Sequence, residues 1–132
     1  MARYLLDTNI LIRATLGEAI ILERLSSLAI SDVALSAISL AEAQAGAAAL
    51  GDRSDQVLER LALIAENVDV LPYDADAAQA YGRVTQRVKQ KRSRALDRMI
   101  ASQALSAGMK LVTTNVDDFD DVPGLSLEVW AA

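Results

Sequence analysis

Short apolar runs separated by stretches of helical spacing predict an α/β fold, a short five-stranded parallel sheet with helices on both faces. The runs are Arg3 to Leu6, Ala34 to Ser36, Asp69 to Leu71, Leu111 to Thr113 and Leu125 to Val129. Between most of them, apolar residues recur every three or four positions, the period of an amphipathic helix. Four acids, Asp7, Glu42, Asp97 and Asp118, fall just after these runs or at the start of a helix leading into one.

Arg3-Tyr4-Leu5-Leu6 reads as a buried strand, and Asp7 or Thr8 can cap a helix from Thr8 to Arg13. Ala19, Leu22, Leu25 and Leu28 mark a second helical piece, and Ala34-Leu35-Ser36 a second strand. Ser39 to Leu50 is an Ala-rich helix that ends near Gly51. Val57, Leu58, Leu61, Ile64 and Ala65 give the next helix its apolar face, so residues 39–66 form a helical hairpin. Asp69-Val70-Leu71 is a third strand, stopped by Pro72. Ala77, Tyr81, Val84 and Val88 mark one later helix; Leu96, Met99, Ile100, Ala104 and Ala107 mark another, with Gly108 as its terminator. Leu111-Val112-Thr113 is the fourth strand, and the Pro123-Gly124 turn leads into the fifth. There is no internal repeat, low-complexity tract or linker, so residues 1–132 are expected to form one domain.

At 132 residues and 52% hydrophobic composition, the chain is long and apolar enough for a real core, which argues against disorder. No apolar stretch approaches the roughly 20 residues of a membrane span. The first run meets Asp7 at once, so no signal peptide is expected and the compartment is expected to be cytoplasmic. There is no Cys and no His, which excludes disulfides, thiolate or imidazole ligands and a histidine base. Any metal must be held by oxygen, which favours Mg²⁺ or Mn²⁺.

The net charge is −5, yet seven of the 13 basic residues crowd into one segment: Arg83, Arg87, Lys89, Lys91, Arg92, Arg94 and Arg98. Only Asp97 opposes them there. Such a run is either a solvated helix end and loop or a phosphate-contacting surface beside the acids.

Each acid alone has an ordinary structural explanation. Asp7 can cap a helix; Glu42 follows Ser39 at capping-box spacing; Asp97 suits a helix N-terminus; Asn115 and Asp118 have the same three-residue spacing. Asp117, Asp120 and Asp121 read as solvated loop acids. Together the explanation strains. Parallel strands put Asp7, Glu42, Asp97 and Asp118 at the carboxyl end of one sheet, where ligands bind. Carboxylates gathered there repel one another, and a divalent cation removes the conflict.

Leu5-Leu6-Asp7-Thr8-Asn9-Ile10-Leu11-Ile12, Ser39-Leu40-Ala41-Glu42, Leu96-Asp97-Arg98-Met99-Ile100-Ala101 and Leu111-Val112-Thr113-Thr114-Asn115-Val116-Asp117-Asp118-Phe119 resemble the PIN domain. More narrowly, they resemble the VapC-type toxins of bacterial toxin–antitoxin pairs, and the similarity extends over essentially the whole chain. The resemblance implies a PIN-like fold and a metal-dependent endoribonuclease. Asp7, Glu42, Asp97 and Asp118 match its catalytic acids, and Asn9, Thr113 and Asn115 match polar positions around them. In the implied reaction Asp7, Asp97 and Asp118 hold Mg²⁺ or Mn²⁺, and Glu42 orients or deprotonates the attacking water. The products carry a 5′-phosphate and a 3′-hydroxyl.

The resemblance also implies a homodimer and a small cognate antitoxin, both served by the 39–66 hairpin. There are two departures. Lys91-Arg92-Ser93-Arg94-Ala95 replaces a Gly-Pro-rich loop common in relatives, and Asn115 stands where many carry Asp, which leaves one ion or two compatible with the pattern. The alternative is a catalytically silent PIN-like module that binds RNA or a partner protein. Two other acid-bearing α/β classes fit less well. A phospho-acceptor receiver domain needs an acidic pair near the first strand and a Lys after the last. A haloacid-dehalogenase-like phosphatase needs Asp-x-Asp where this chain has Asp7-Thr8-Asn9.

Overall fold

The computed structural model describes residues 2–88 and 94–130. Five strands form one sheet: β1 (Tyr4–Leu6), β2 (Val33–Ser36), β3 (Asp69–Leu71), β4 (Lys110–Thr113) and β5 (Leu127–Val129). Their order is β3-β2-β1-β4-β5, and every neighbouring pair is parallel. The helices are α1 (Thr8–Thr15), α2 (Ala19–Ser26), α3 (Ala37–Ala48), α4 (Ser54–Asn67), α5 (Ala75–Thr85) and α6 (Ala95–Ala107). No helix among the described residues is long and apolar enough to cross a membrane.

The two-residue period of the strands divides the core. Leu6, Leu35 and Val112 join Ile10, Ile21, Ala43 and Leu61 from the first four helices on one face. Leu5, Ala34 and Leu111 join Val84, Ile100, Ala101 and Ala104 from α5 and α6 on the other. Both faces of the central strands are therefore buried, which is why these segments read as unbroken apolar runs.

Chain direction fixes where a ligand can sit. From β1 the chain steps outward to β2 and β3, then crosses back to β4 on the opposite side of β1. The order reverses between β1 and β4, and the crevice beyond their carboxyl ends is the natural site.

Several boundaries differ from the sequence expectation. Helix α3 begins at Ala37 because Ser36 Oγ accepts from the Ile38 amide at 3.0 Å. Ser39 is thus inside the helix and caps nothing. Asp118 closes a single 3₁₀ turn, Val116–Asp118, rather than entering a helix. Strand β5 starts two residues later than Leu125, and Leu96 points outward, at 44% exposed. Helix α6 does stop at Gly108, whose φ of 68° suits glycine best.

Candidate active site

Asp7 follows the last residue of β1 and caps α1. Its own amide donates to the Val112 carbonyl of β4 at 2.8 Å. The side chain is 2% exposed; Oδ1 accepts from the Thr8 amide at 2.8 Å and Oδ2 from the Thr113 hydroxyl at 2.9 Å. The carboxylate therefore bridges the two strands at the reversal point. The Thr113 oxygen in turn accepts from the Asn115 amide at 3.0 Å, which sets the path of the chain leaving β4.

Glu42 lies in the second turn of α3, half-buried. The Thr8 hydroxyl donates to its Oε1 at 2.7 Å and lies 3.0 Å from the buried Ser39 hydroxyl. Asp97 occupies the first turn of α6. Asp118 accepts from the Asn115 side-chain amide at 2.8 Å, and Arg94 Nη2 lies 3.9 Å away. Asn9 is exposed in the first turn of α1.

Burial pushes Asp7 up to about 6; Asp118 and Glu42 push the same way, while the bonds from Thr113 and Thr8 oppose it. Burial also pushes Asp97 up to about 6, helped by Asp7, Asp118 and Glu42 and opposed by Arg94. Acids from four separate segments thus act on one another electrostatically. Each also has its own hydrogen-bond partners or helix turn, and among the described residues no three stand close enough to hold an ion between them as they are. Mg²⁺ commonly takes only one or two carboxylates and keeps several waters, and all-oxygen donors suit such a hard cation. The donor set and its unrelieved repulsion fit a divalent ion.

Residues 4–125 match the PIN domain family. The chain belongs to that family. It is 32% identical to the tRNA(fMet)-specific endonuclease VapC of Shigella flexneri, covering 99% of this chain and 100% of the relative. It is 31% identical to ribonuclease VapC2 of Rickettsia felis, covering 96% and 97%. Its fold resembles VapBC from Salmonella typhimurium solved bound to DNA, with a TM-score of 0.86, 28% identity and 99% and 100% coverage. VapBC2 of Rickettsia felis, bound to a DNA fragment from its promoter, gives a TM-score of 0.81 at 27% identity, covering 97% and 98%.

The basic segment of this PIN domain separates into distinct surroundings. Arg83 and Arg87 are exposed and line a shallow cavity of about 370 Å³ with Gln86, Leu105 and Pro123. Arg94 donates to the Asp117 carbonyl at 3.1 Å. Lys89, Lys91 and Arg92 lie outside the described residues. Arg98 requires correction as an RNA contact. It is 4% exposed and gives both ends of its fork to Asp121, at 2.5 and 2.7 Å. Asp121 is accordingly an ion-pair partner and not a free loop acid.

Sequence reasoning missed this pair, and it missed Thr8 and Ser39 as the polar bridge to Glu42. The one available signal for Arg98 was its place at i, i+3 and i+7 with Ala101 and Leu105, on a face of α6 turned inward.

Proposed function

We propose that this PIN domain, spanning the whole chain as one unit, is the toxin of a toxin–antitoxin pair and acts as a Mg²⁺- or Mn²⁺-dependent endoribonuclease. The observation that carries the reading is the Asp7 carboxylate, buried at the β1–β4 reversal and held up to about 6 beside other acids. The cap on α1 and the Thr113 bond only partly offset the cost of burying this charge, and a bound cation would offset the rest. When bound, the cation lowers the pKa of a water and neutralises the scissile phosphate.

The chain's own residues do the rest. Asp7, Asp97 and Asp118 supply the oxygen ligands. Thr113 and Thr8 fix the Asp7 carboxylate in one rotamer. Glu42, which accepts from the Thr8 hydroxyl, would take a proton from the attacking water. Arg83, Arg87 and Arg94 offer charge to the RNA backbone, with Lys89, Lys91 and Arg92 in the same stretch of sequence.

An antitoxin belongs to the same reading. Leu6, Leu11, Leu25, Ile30, Leu63 and Val68 line an apolar groove of about 450 Å³ in which Ile30 and Leu63 are each 60% exposed. Relatives of this fold were solved as VapBC complexes, and a small partner burying these side chains suits the groove. A homodimer through the α3–α4 hairpin and a cytoplasmic location complete the proposal.

The test is cleavage of purified RNA, with transfer RNA first because the Shigella relative is named for it. Cleavage with Mg²⁺ or Mn²⁺, yielding 5′-phosphate ends, and none in excess chelator or by Asp97→Asn is the expected result. Undiminished activity in chelator would overturn it.

A further inference from the structure

One ion pair among the described residues, between a buried arginine and an exposed aspartate, plays no part in the chemistry above. Arg98 is the residue after Asp97, and Asp121 comes three residues after Asp118. Arg98 grips both oxygens of Asp121 from a position that is 4% exposed, while its Nε is buried without a partner among the described residues. Burying a guanidinium and leaving one donor unpaired is costly. Such pairs are often no more stable than an apolar substitute. What a two-pronged bond supplies that an apolar contact does not is fixed distance and orientation.

We infer that the Arg98–Asp121 pair is a positioning latch that holds the loop carrying Asp118 against the first turn of α6, which carries Asp97. This rests on the nuclease reading for its purpose, though not for its geometry. The loop is short and internally tied: the amides of Asp118, Phe119 and Asp120 donate back to the Asn115 and Val116 carbonyls at 3.3, 2.9 and 2.9 Å. Phe119 anchors its middle in the core, 1% exposed. Asp118 is thus suspended between two ties to the start of α6, Arg94 to the Asp117 carbonyl on one side and Arg98 to Asp121 on the other.

The two ties differ in kind. Arg94 makes a single hydrogen bond at the surface, whereas Arg98 makes a fork from the interior. Release of the fork leaves the loop tied to the start of α6 by Arg94 alone, with Phe119 as its anchor in the core. The Arg98 charge also lies within electrostatic reach of both acids. It offsets part of their repulsion while contacting neither as a ligand.

Asp121→Ala removes the fork at its 43% exposed end but strands the buried Arg98 charge, so circular dichroism first checks that it folds, and Asp121→Asn, which keeps one acceptor, replaces it if it does not. Arg98→Lys keeps the charge and removes the fork. Amide hydrogen exchange on the metal-free proteins reads the loop, and calorimetric titration with Mn²⁺ reads the site. Exchange at Asp118 to Asp120 should rise at least several-fold in Asp121→Ala. Mn²⁺ affinity should fall about tenfold, the usual loss when a supporting partner of a ligand is removed. RNA cleavage should lose kcat in proportion, with KM within about twofold, and Arg98→Lys should fall between wild type and Asp121→Ala.

Unchanged loop exchange in Asp121→Ala overturns the latch, whatever the metal data show. Faster exchange with unchanged Mn²⁺ affinity reduces the pair to a stability element and also overturns it. A loss confined to KM reassigns Arg98 to substrate. Wild-type protein that takes up no Mn²⁺ sinks the metal reading and the latch's purpose together, and the exchange data distinguish that from failure of the geometry.

Discussion

Replacing Asp7 by Asn should destroy cleavage and yet make the metal-free protein more stable. Asp7 rises from 3.8 to about 6 on folding. At about 1.4 kcal/mol per pKa unit, keeping it ionised at pH 8 costs the folded state on the order of 3 kcal/mol. Asn removes that cost. Its carbonyl oxygen can still accept from the Thr8 amide, but its amino group then faces the Thr113 hydroxyl that donated to Oδ2, at a loss of about 1 kcal/mol. The net gain at pH 8 is about 2 kcal/mol.

The pH dependence separates this from generic packing changes. The folded pKa lies above the unfolded one, so the folded wild type holds the extra proton between pH about 4 and about 6. Its stability falls as pH rises through that window and levels off above it. The advantage of Asp7→Asn should therefore shrink from about 2 kcal/mol at pH 8 to under about 1 kcal/mol at pH 5. Urea unfolding in chelator, followed by the fluorescence of Trp130, which is 1% exposed, measures both values. Adding Mn²⁺ at about 100 times its Kd should stabilise the wild type by roughly 2.7 kcal/mol and erase the variant's lead. A variant less stable than wild type at pH 8, or a difference that does not move with pH, refutes the assignment of Asp7 as a strained, buried carboxylate.

Thr113→Val removes the hydroxyl bond that holds the Asp7 pKa down. A carboxyl NMR titration of the metal-free variant should place Asp7 above about 6, by roughly 0.7 pH unit for a bond of about 1 kcal/mol; an unmoved titration removes Thr113 from the site. Arg83→Ala/Arg87→Ala, at exposed positions, should weaken RNA binding and leave kcat unchanged. If each arginine neutralises one phosphate, the slope of log affinity against log salt becomes shallower by about 1.4. Filter binding across a salt series with the inactive Asp97→Asn background checks this, and an unaltered slope takes both arginines off the RNA path.

What the chain disclosed from sequence was whatever depends on short spacing. Leu5-Leu6, Ala34-Leu35 and Leu111-Val112 show paired inward residues because each strand is covered on both sides, and the observed clusters divide those pairs residue by residue. Asp7 was legible because an acid ending a buried run cannot escape the interior. What stayed hidden depends on partners far along the chain. Ser39 and Glu42 have capping-box spacing, but Ser36 starts the helix three residues earlier, so both side chains are free to meet Thr8, with Glu42 bonding a residue 34 positions away. Arg98 sits in the basic segment and shares its composition, yet its partner is 23 residues on.

Local pattern therefore singled out the acids to which we assign the chemistry, and it placed Thr113 and Asn115 beside them, where they bond Asp7 and Asp118, but it misread Arg98 and Asp121 and passed over Thr8. The two sets differ physically. A ligand acid is betrayed by the cost of burying charge, which any sequence position with an apolar surround reveals. The Arg98–Asp121 bond has no such signature, because its partner is one that only the fold brings near. Asp121, read alone as solvated and found gripping Arg98 beside the acids, is the clearest instance of that difference here.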